Sequence, residues 1–171
     1  QDLVFYDNAP VVNHDVTVSG ASEKVNYYLS LGYYSQDGIV GGNHGHSNYD
    51  RLTIRSNTQY NLIDASKERG FLNKLDLGVN LAYMRTHSTG VGTNSEFGSI
   101  LGSALYLSPI LTPTLTGDAA EKMIETYKDF DLPRDANGDP YTVPGYGGAY
   151  QEMNNPLAMM TLTPTKNWSH K

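Results

Sequence analysis

Residues 75–83 read LDLGVNLAY, a stretch in which apolar residues alternate without a break with polar or small ones. Every second position carries leucine, valine or tyrosine, and the positions between them carry aspartate, glycine, asparagine and alanine. Because successive side chains of a β-strand point to opposite faces of a sheet, this pattern predicts a strand with one apolar and one polar face. Such an apolar face meets either a protein core or lipid.

Three other segments have the same period of two, at residues 14–19, 25–34 and 51–62. Turn residues at 20–24 and a loop rich in glycine and asparagine at 35–48 separate them and indicate antiparallel hairpins. We therefore predict four antiparallel strands whose polar sides line a wet interior. The polar side chains expected to point into this lumen are Arg51, Arg55, Asn57, Gln59, Asp76 and Asn80.

The composition excludes several classes of protein. The 171 residues carry a net charge of −6, with acidic and basic residues interspersed, so there is no basic stripe for nucleic acid. The chain has no cysteine, which excludes disulfides, thiolate metal sites and thiol nucleophiles. Glycine, serine and proline interrupt the longest apolar run, at residues 100–111, so we expect no transmembrane helix.

Strand length and the placement of tyrosines favour lipid over a core. A tilted strand crosses a bilayer with about 9 to 11 residues, and barrels carry aromatic girdles at both rims of an apolar band about 25 Å tall. Since neighbouring strands run in opposite directions, Tyr27 and Tyr60 share one predicted rim, and Tyr33 and Tyr83 share the other. The predicted fold class is all-β, a segment of an antiparallel transmembrane β-barrel.

The connections between the strands agree with this interpretation, but an alternative stays open. Residues 20–24 and 63–72 are short connections, and residues 35–48 form a longer one, as in barrels with short periplasmic turns and longer outer loops. A soluble carbohydrate-binding β-sandwich would alternate in the same way. Its polar face would normally be rich in lysine and glutamate, whereas arginine, asparagine, glutamine, serine and threonine predominate here.

The second half of the chain lacks the strand pattern. We expect residues 1–86 to hold the early barrel strands and hairpins, and residues 87–171 to form a long extracellular loop region leading to the next strand. Within that region the sequence predicts short helices at residues 97–107 and 118–129. It also predicts a turn at residues 135–139, which read DANGD.

Several motifs resemble the SusC/RagA family of TonB-dependent outer-membrane transporters. Residues 14–20 follow that family's His-x-hydrophobic-x-hydrophobic-Ser-Gly strand, and residues 27–33 follow its Tyr-x-x-Ser-x-Gly-Tyr strand. Residues 36–39 match its Gln-x-Gly-Ile loop. Ala21 departs from the family's usual second glycine and affects only a turn. The resemblance is most specific over residues 10–90.

The resemblance implies a function that the periodicity alone does not. Members of the family are 22-stranded barrels with an N-terminal plug. They import oligosaccharides or peptides across the outer membrane, take energy from TonB-ExbB-ExbD through the plug, and are closed by a SusD-like surface lipoprotein. About four of those strands fall in this sequence, and the plug and TonB box lie outside it. We expect an internal piece of a barrel, because four strands alone leave two open edges that lipid does not tolerate.

No motif predicts catalysis, so we expect no enzyme and no cofactor. There is no G-x-S-x-G sequence, no carboxylate pair in a cleft context and no phosphate-loop spacing of glycines. His44 and His46 lie near Asp50 and could face one cation, but a solvated polar loop explains them as well. Residues 135–139 resemble half of a calcium loop, yet glycine at the fourth place and the missing glutamate favour a plain turn. We expect no metal site.

The candidate ligand surface combines lumen-facing polar residues with tyrosines of the outer region. Tyrosine rings stack on sugar faces or pack against peptide side chains while their hydroxyls form hydrogen bonds. Packing within the loop is the plainer explanation for these rings. The predicted substrate-binding residues are Arg51, Arg55, Asn57, Gln59, Tyr127, Tyr146 and Tyr150.

Overall fold

The computed structural model describes residues 3–41, 47–64, 70–92, 98–108, 110–142 and 154–171. The strands and helices in these residues are β1 (Val11–Ala21), β2 (Val25–Asp37), β3 (Asn48–Ile63), β4 (Leu75–Gly90), α1 (Ile100–Tyr106), α2 (Asp118–Thr126), α3 (Pro156–Leu162) and β5 (Thr165–His170).

The chain divides into two compact units. The sheet unit consists of Pro10–Gln36, Tyr49–Ser88 and Asn167–Lys171. The helical unit consists of Gln1–Ala9, Asp37–Asn48 and Thr89–Lys166. Each unit brings together segments that are far apart in the sequence.

The strands form one sheet in the order β1-β2-β3-β4-β5. Strands β1 and β2 are antiparallel, with Val16 opposite Leu31. On the other face of the same pair Thr17 lies opposite Ser30. Directly opposed residues share a face of the sheet, so this register places the apolar residues of both strands together and the polar ones together, as predicted. All four predicted strands are present.

The fifth strand, β5, was not predicted. It pairs with β4 through a reciprocal contact, in which the Met84 amide donates to the Lys171 carbonyl at 3.0 Å and the Lys171 amide donates to the Met84 carbonyl at 2.9 Å. Two residues that exchange both hydrogen bonds define an antiparallel pair. We predicted no strand within residues 87–171, because the next strand was expected to follow them. The prediction missed β5 because its sequence, TKNWSH, has a single large apolar residue, Trp168, and shows no alternation.

The strands also extend beyond the alternating stretches. Strand β4 has 16 residues, whereas the alternation covers only residues 75–83. That stretch spans about 30 Å at 3.3 Å per residue, and a tilt of about 40° reduces its height to about 23 Å, close to the apolar band of a barrel. Past residue 84 both faces of β4 are polar, so the pattern ends although the strand continues.

The helical unit has its own small core. Val4, Ile100, Tyr141, Leu157 and Met160 are buried and pack together. Helices α1 and α2 lie within the two predicted intervals, but α3 was not predicted. Its start does carry a signal, since asparagine at the N-cap followed by proline in the first turn is a common beginning of a helix. No helix in the described segments is long and apolar enough to span a membrane.

The predicted turn at residues 135–139 is confirmed. The Asp135 carboxylate oxygen Oδ1 accepts hydrogen bonds from the backbone amides of Asn137 and Asp139, both at 2.9 Å. Gly138 has a φ of 90°, which glycine adopts without strain. The amide of Asp139 is the main cause that lowers the pKa of Asp135 below its usual value. These hydrogen bonds explain Asp135 and Asp139 as residues of a turn.

Gly20 makes room for an aromatic side chain on the apolar face. It lies opposite Tyr27, and a Cβ atom placed on Gly20 would lie 2.5 Å from the Tyr27 Cζ atom. We expect Gly20→Ala to lower the free energy of unfolding by about 1 kcal/mol, because the ring must leave its preferred rotamer. Gly78→Ala is the matched control, since a Cβ there meets nothing within 4 Å. Urea unfolding of both variants tests this, and equal stabilities would contradict it.

Candidate functional site

The polar face of the sheet gathers the lumen-facing residues that the sequence predicts. In the β1–β2 pair, Asn13 lies opposite Tyr34 and Ser19 lies opposite Tyr28. The Arg51 guanidinium of β3 lies over the Tyr34 ring, with its Cζ atom 5.5 Å from the ring centroid. Arg51 therefore shares this face with the polar residues of β1 and β2.

Tyr34 is the centre of a small cluster on this face. Its hydroxyl donates to Gln36 Oε1 at 2.7 Å. The Tyr49 ring meets it edge-on at a centroid distance of 6.1 Å and an interplanar angle of 62°. Arg51 over its face, Tyr49 at its edge and Gln36 at its hydroxyl thus contact the Tyr34 ring from three directions.

Arg55 lies on the same face and lines a groove together with Arg51. An open groove of about 250 Å³ is lined by Asp15, Gly32, Thr53 and both arginines, among others. Gly32 leaves space that the Asp15 carboxylate occupies, since a Cβ there would lie 2.8 Å from Asp15 Oδ1. Within the described part of the chain, neither arginine forms an ion pair. Their guanidinium donors are therefore available to a ligand.

Gln59 belongs to a different groove, near the β1–β2 turn. This groove of about 320 Å³ is also lined by Lys24, Asn26 and Asp76. Asp76 forms an ion pair with Lys74, with Nζ and Oδ2 2.8 Å apart. The sequence places Asn57 on the polar face between the two grooves, and its side chain is exposed. The predicted residues of β3 thus follow one polar strip instead of converging on one point.

Of the three predicted tyrosines of the second half, Tyr127 is among the described residues. Tyr127 belongs to the helical unit, where it follows α2 and lines a groove of about 410 Å³ with Lys122, Met123 and Thr142. The Thr142 hydroxyl there is buried and has no hydrogen-bond partner among the residues that the structure describes. Tyr146 and Tyr150 lie outside the described residues.

The opposite face of the sheet is apolar and exposed. Val18, Leu29, Val79 and Leu81 expose 50%, 46%, 47% and 58% of their surface. Tyr27 and Tyr60, at the rim near the β1–β2 turn, are exposed as well. Isolated exposed leucines are ordinary in proteins, but a contiguous apolar face of this extent marks a surface that meets a partner or a membrane.

The other rim of this face carries a network that the sequence did not suggest. The Tyr33 hydroxyl donates to Asp50 Oδ1 at 3.3 Å, and Asp50 Oδ2 lies 3.7 Å from His87 Nδ1. The His87 ring stacks on Trp168 at a centroid distance of 3.9 Å. These contacts join β2, β3, β4 and β5, so no single stretch of sequence contains the signal.

Metal binding has little support in the described residues. No group of three or more histidine, aspartate or glutamate side chains among them is placed to hold a metal ion. His44 and His46 lie outside the described residues. Both explanations of that loop, a cation site and a solvated polar loop, therefore stay predictions.

Two known proteins are similar to part of this chain. TonB-dependent receptor P26 of Formosa agariphila is 35% identical over 98 residues, which is 57% of this chain and 9% of that protein. TonB-dependent receptor P3 of the same organism is 30% identical over 111 residues, which is 62% of this chain and 10% of that protein. The matched region therefore spans about a tenth of either relative. No protein-family model and no solved structure matches the chain.

Proposed function

We propose that this sheet is part of the wall of a transmembrane β-barrel in an outer-membrane TonB-dependent importer. The observation that carries the proposal is the sheet's two faces, one apolar and exposed between tyrosine rims and the other polar and lined with arginine, asparagine and glutamine. This is the pattern of a barrel strand set with lipid outside and water inside. The similarity to two TonB-dependent receptors supports the same class of protein.

The finer assignment is to the SusC/RagA family, and it rests on the motifs at residues 14–20, 27–33 and 36–39. On this proposal the sheet supplies a few strands of a 22-stranded barrel, and the region between β4 and β5 is extracellular. The energy for uptake comes from TonB-ExbB-ExbD acting on a plug, and a SusD-like lipoprotein covers the outer opening. The imported substrate is an oligosaccharide or a peptide.

Arg51 and Arg55 are the proposed substrate-binding residues with the best structural support. Both line one groove, both lack an ion-pair partner in the described residues, and Tyr34 supplies a ring beside Arg51. A guanidinium donates several hydrogen bonds in a fixed geometry, and a ring offers a face for a sugar or an apolar side chain. Asn57 and Gln59 extend the polar strip, while the Tyr127 groove is a second proposed contact surface.

The experiment is energised uptake by cells that produce the intact protein. The double variant Arg51→Gln/Arg55→Gln should take up a labelled oligosaccharide or peptide at least about tenfold less well at subsaturating concentration, because the loss of even one charge-assisted hydrogen bond of about 1.5 kcal/mol lowers affinity about tenfold. Deleting TonB should abolish uptake altogether. Arg134→Gln, which removes a single arginine from an exposed turn of the helical unit, is the control and should behave as the wild type. Unchanged uptake in the double variant would remove these arginines from the site.

Detergent dependence separates the proposal from the soluble β-sandwich. A sandwich covers its apolar face with a second sheet, but all strands in the described residues belong to one sheet whose apolar face is exposed. We expect the intact protein to fractionate with outer membranes and to precipitate when detergent is removed. A stable, monodisperse protein in plain buffer would favour the sandwich.

A further inference from the structure

Four side chains form a cluster on the apolar face just beyond Tyr83. This rim cluster consists of Arg85, His87, Trp168 and His170. The Arg85 Cζ atom lies 5.4 Å from the centroid of the Trp168 ring, and His87 stacks on the same ring. His170 Nδ1 lies 3.0 Å from the Tyr83 hydroxyl. One indole therefore has two basic side chains packed against it.

The rim cluster lies at the level where a hydrocarbon layer would end. Tyr83 is the last residue of the alternating stretch, and Arg85 is the next residue on the same face, about 7 Å further along the strand. Tryptophan and tyrosine are enriched at the headgroup level of membranes, because their rings are apolar and their N–H or O–H groups are polar. The cluster is thus built for an interface and not for the hydrocarbon.

Within the described residues, Arg85 has no ion-pair partner. The carboxylate of Asp50, an acidic residue at this rim, already contacts His87 and Tyr33. In the described segments no side-chain or backbone acceptor receives a hydrogen bond from Arg85, and no carboxylate pairs with it. A guanidinium has five N–H donors and no acceptor. On an outward-facing surface at this height, the matching anion is a lipid phosphate.

We propose that the rim cluster binds a phosphate group of an anionic outer-leaflet lipid of the lipid A type. Arg85 supplies the fork of donors that matches phosphate geometry, and His87 and His170 flank it. Trp168 holds the guanidinium in place and contacts the adjoining acyl region. This inference rests on the proposed outer-membrane location for the side of the bilayer that the rim meets.

The test is lipid retention by the intact protein, purified in detergent and titrated with lipid A while native mass spectrometry counts bound lipids. Arg85→Gln should weaken lipid A binding about fivefold, in line with the effect of one cation near a lipid surface. Trp168→Leu should weaken it as well, because the guanidinium loses its support. Arg51→Gln removes the same charge from the other face and is the matched control for lipid binding.

Two probes distinguish recognition of the phosphate group from apolar contact with the acyl chains. Dephosphorylated lipid A should bind the wild type as weakly as lipid A binds Arg85→Gln, and inorganic phosphate should not compete with lipid A at equal concentration. Equal binding of both lipids, equal losses in Arg85→Gln and Arg51→Gln, or equal affinity for phosphatidylglycerol vesicles would overturn the proposal. Because binding is measured on purified protein, this result stands apart from the uptake assay, in which Arg85→Gln should transport normally.

Discussion

An arginine placed at residue 79 should destabilise the protein in lipid by about 2–4 kcal/mol, whereas an arginine at the next position should cost less than about 1 kcal/mol. Val79 is the central residue of the alternating stretch and is exposed on the apolar face. A cationic side chain at the midplane of a barrel's lipid face costs this much because it must enter hydrocarbon or distort the bilayer. In the proposed barrel, the other side of the same strand faces water.

Val79→Arg and Asn80→Arg form a matched pair, since they place the same side chain one residue apart in β4. The free energy of unfolding is measured by urea titration of the intact protein folded into lipid vesicles. Slopes of the transitions should agree between the two variants, so that the midpoints can be compared. If Asn80→Arg proved the more damaging variant, the two faces of the sheet would be assigned the wrong way round.

Asn155→Ala should lower the free energy of unfolding of the helical unit by about 2–4 kcal/mol. The Asn155 side-chain oxygen caps α3 by accepting from the amides of Leu157 and Ala158, at 3.0 and 3.3 Å. Its Nδ2 donates to the carbonyls of Pro113 and Thr142, at 2.6 and 2.9 Å. The variant removes a helix cap, worth about 1 kcal/mol. It also takes the Asn155 donor from the largely buried Thr142 carbonyl, at about 1 kcal/mol or more, and leaves the Pro113 carbonyl with the Thr142 amide as its donor.

Asn154→Ala is the control for this prediction, because Asn154 is exposed and precedes the cap by one residue. Hydrogen exchange of the α3 amides in the intact protein reports the local stability directly. Exchange should accelerate in Asn155→Ala and remain near wild type in Asn154→Ala. Similar exchange in both variants would mean that the cap does not hold the segments around residues 113 and 142 together.

The sequence predicted the strands where two conditions held together: the residues alternate between apolar and polar, and turn residues precede them. Strand β4 shows both, since residues 75–83 alternate perfectly and turn residues precede them. Strand β5 does not alternate, because its short sequence carries Trp168 as its only large apolar residue. Its place is fixed by pairing with a strand about eighty residues earlier. Periodicity is a local signal, so it finds strands with a continuous apolar face and misses those held by hydrogen bonds and one ring.

The candidate site was predictable only where the odd or even position of a residue along its strand determines which face of the sheet it lies on. Arg51 and Arg55 were assigned to the polar face from their positions, and both line one groove there. Tyr127 was grouped with them because tyrosine rings of the outer region suit a ligand surface; it belongs to the helical unit, and its role in binding stays a prediction. The Asp50–His87–Trp168 contacts were missed because they depend on the relative register of three strands, which the side-chain pattern of one strand does not determine.

One measurement tests the two faces of the sheet directly, and residues 1–171 contribute no cysteine of their own to it. Single cysteines introduced at each of residues 75–83 of the intact protein, in isolated outer membranes, are labelled with a fluorophore whose quenching by lipid-dissolved nitroxide is recorded. We predict quenching at the odd-numbered positions, and reaction with a water-soluble maleimide at the even-numbered ones. Odd-numbered positions shielded from both the nitroxide and the maleimide would contradict the account, because the apolar face would then be covered by protein.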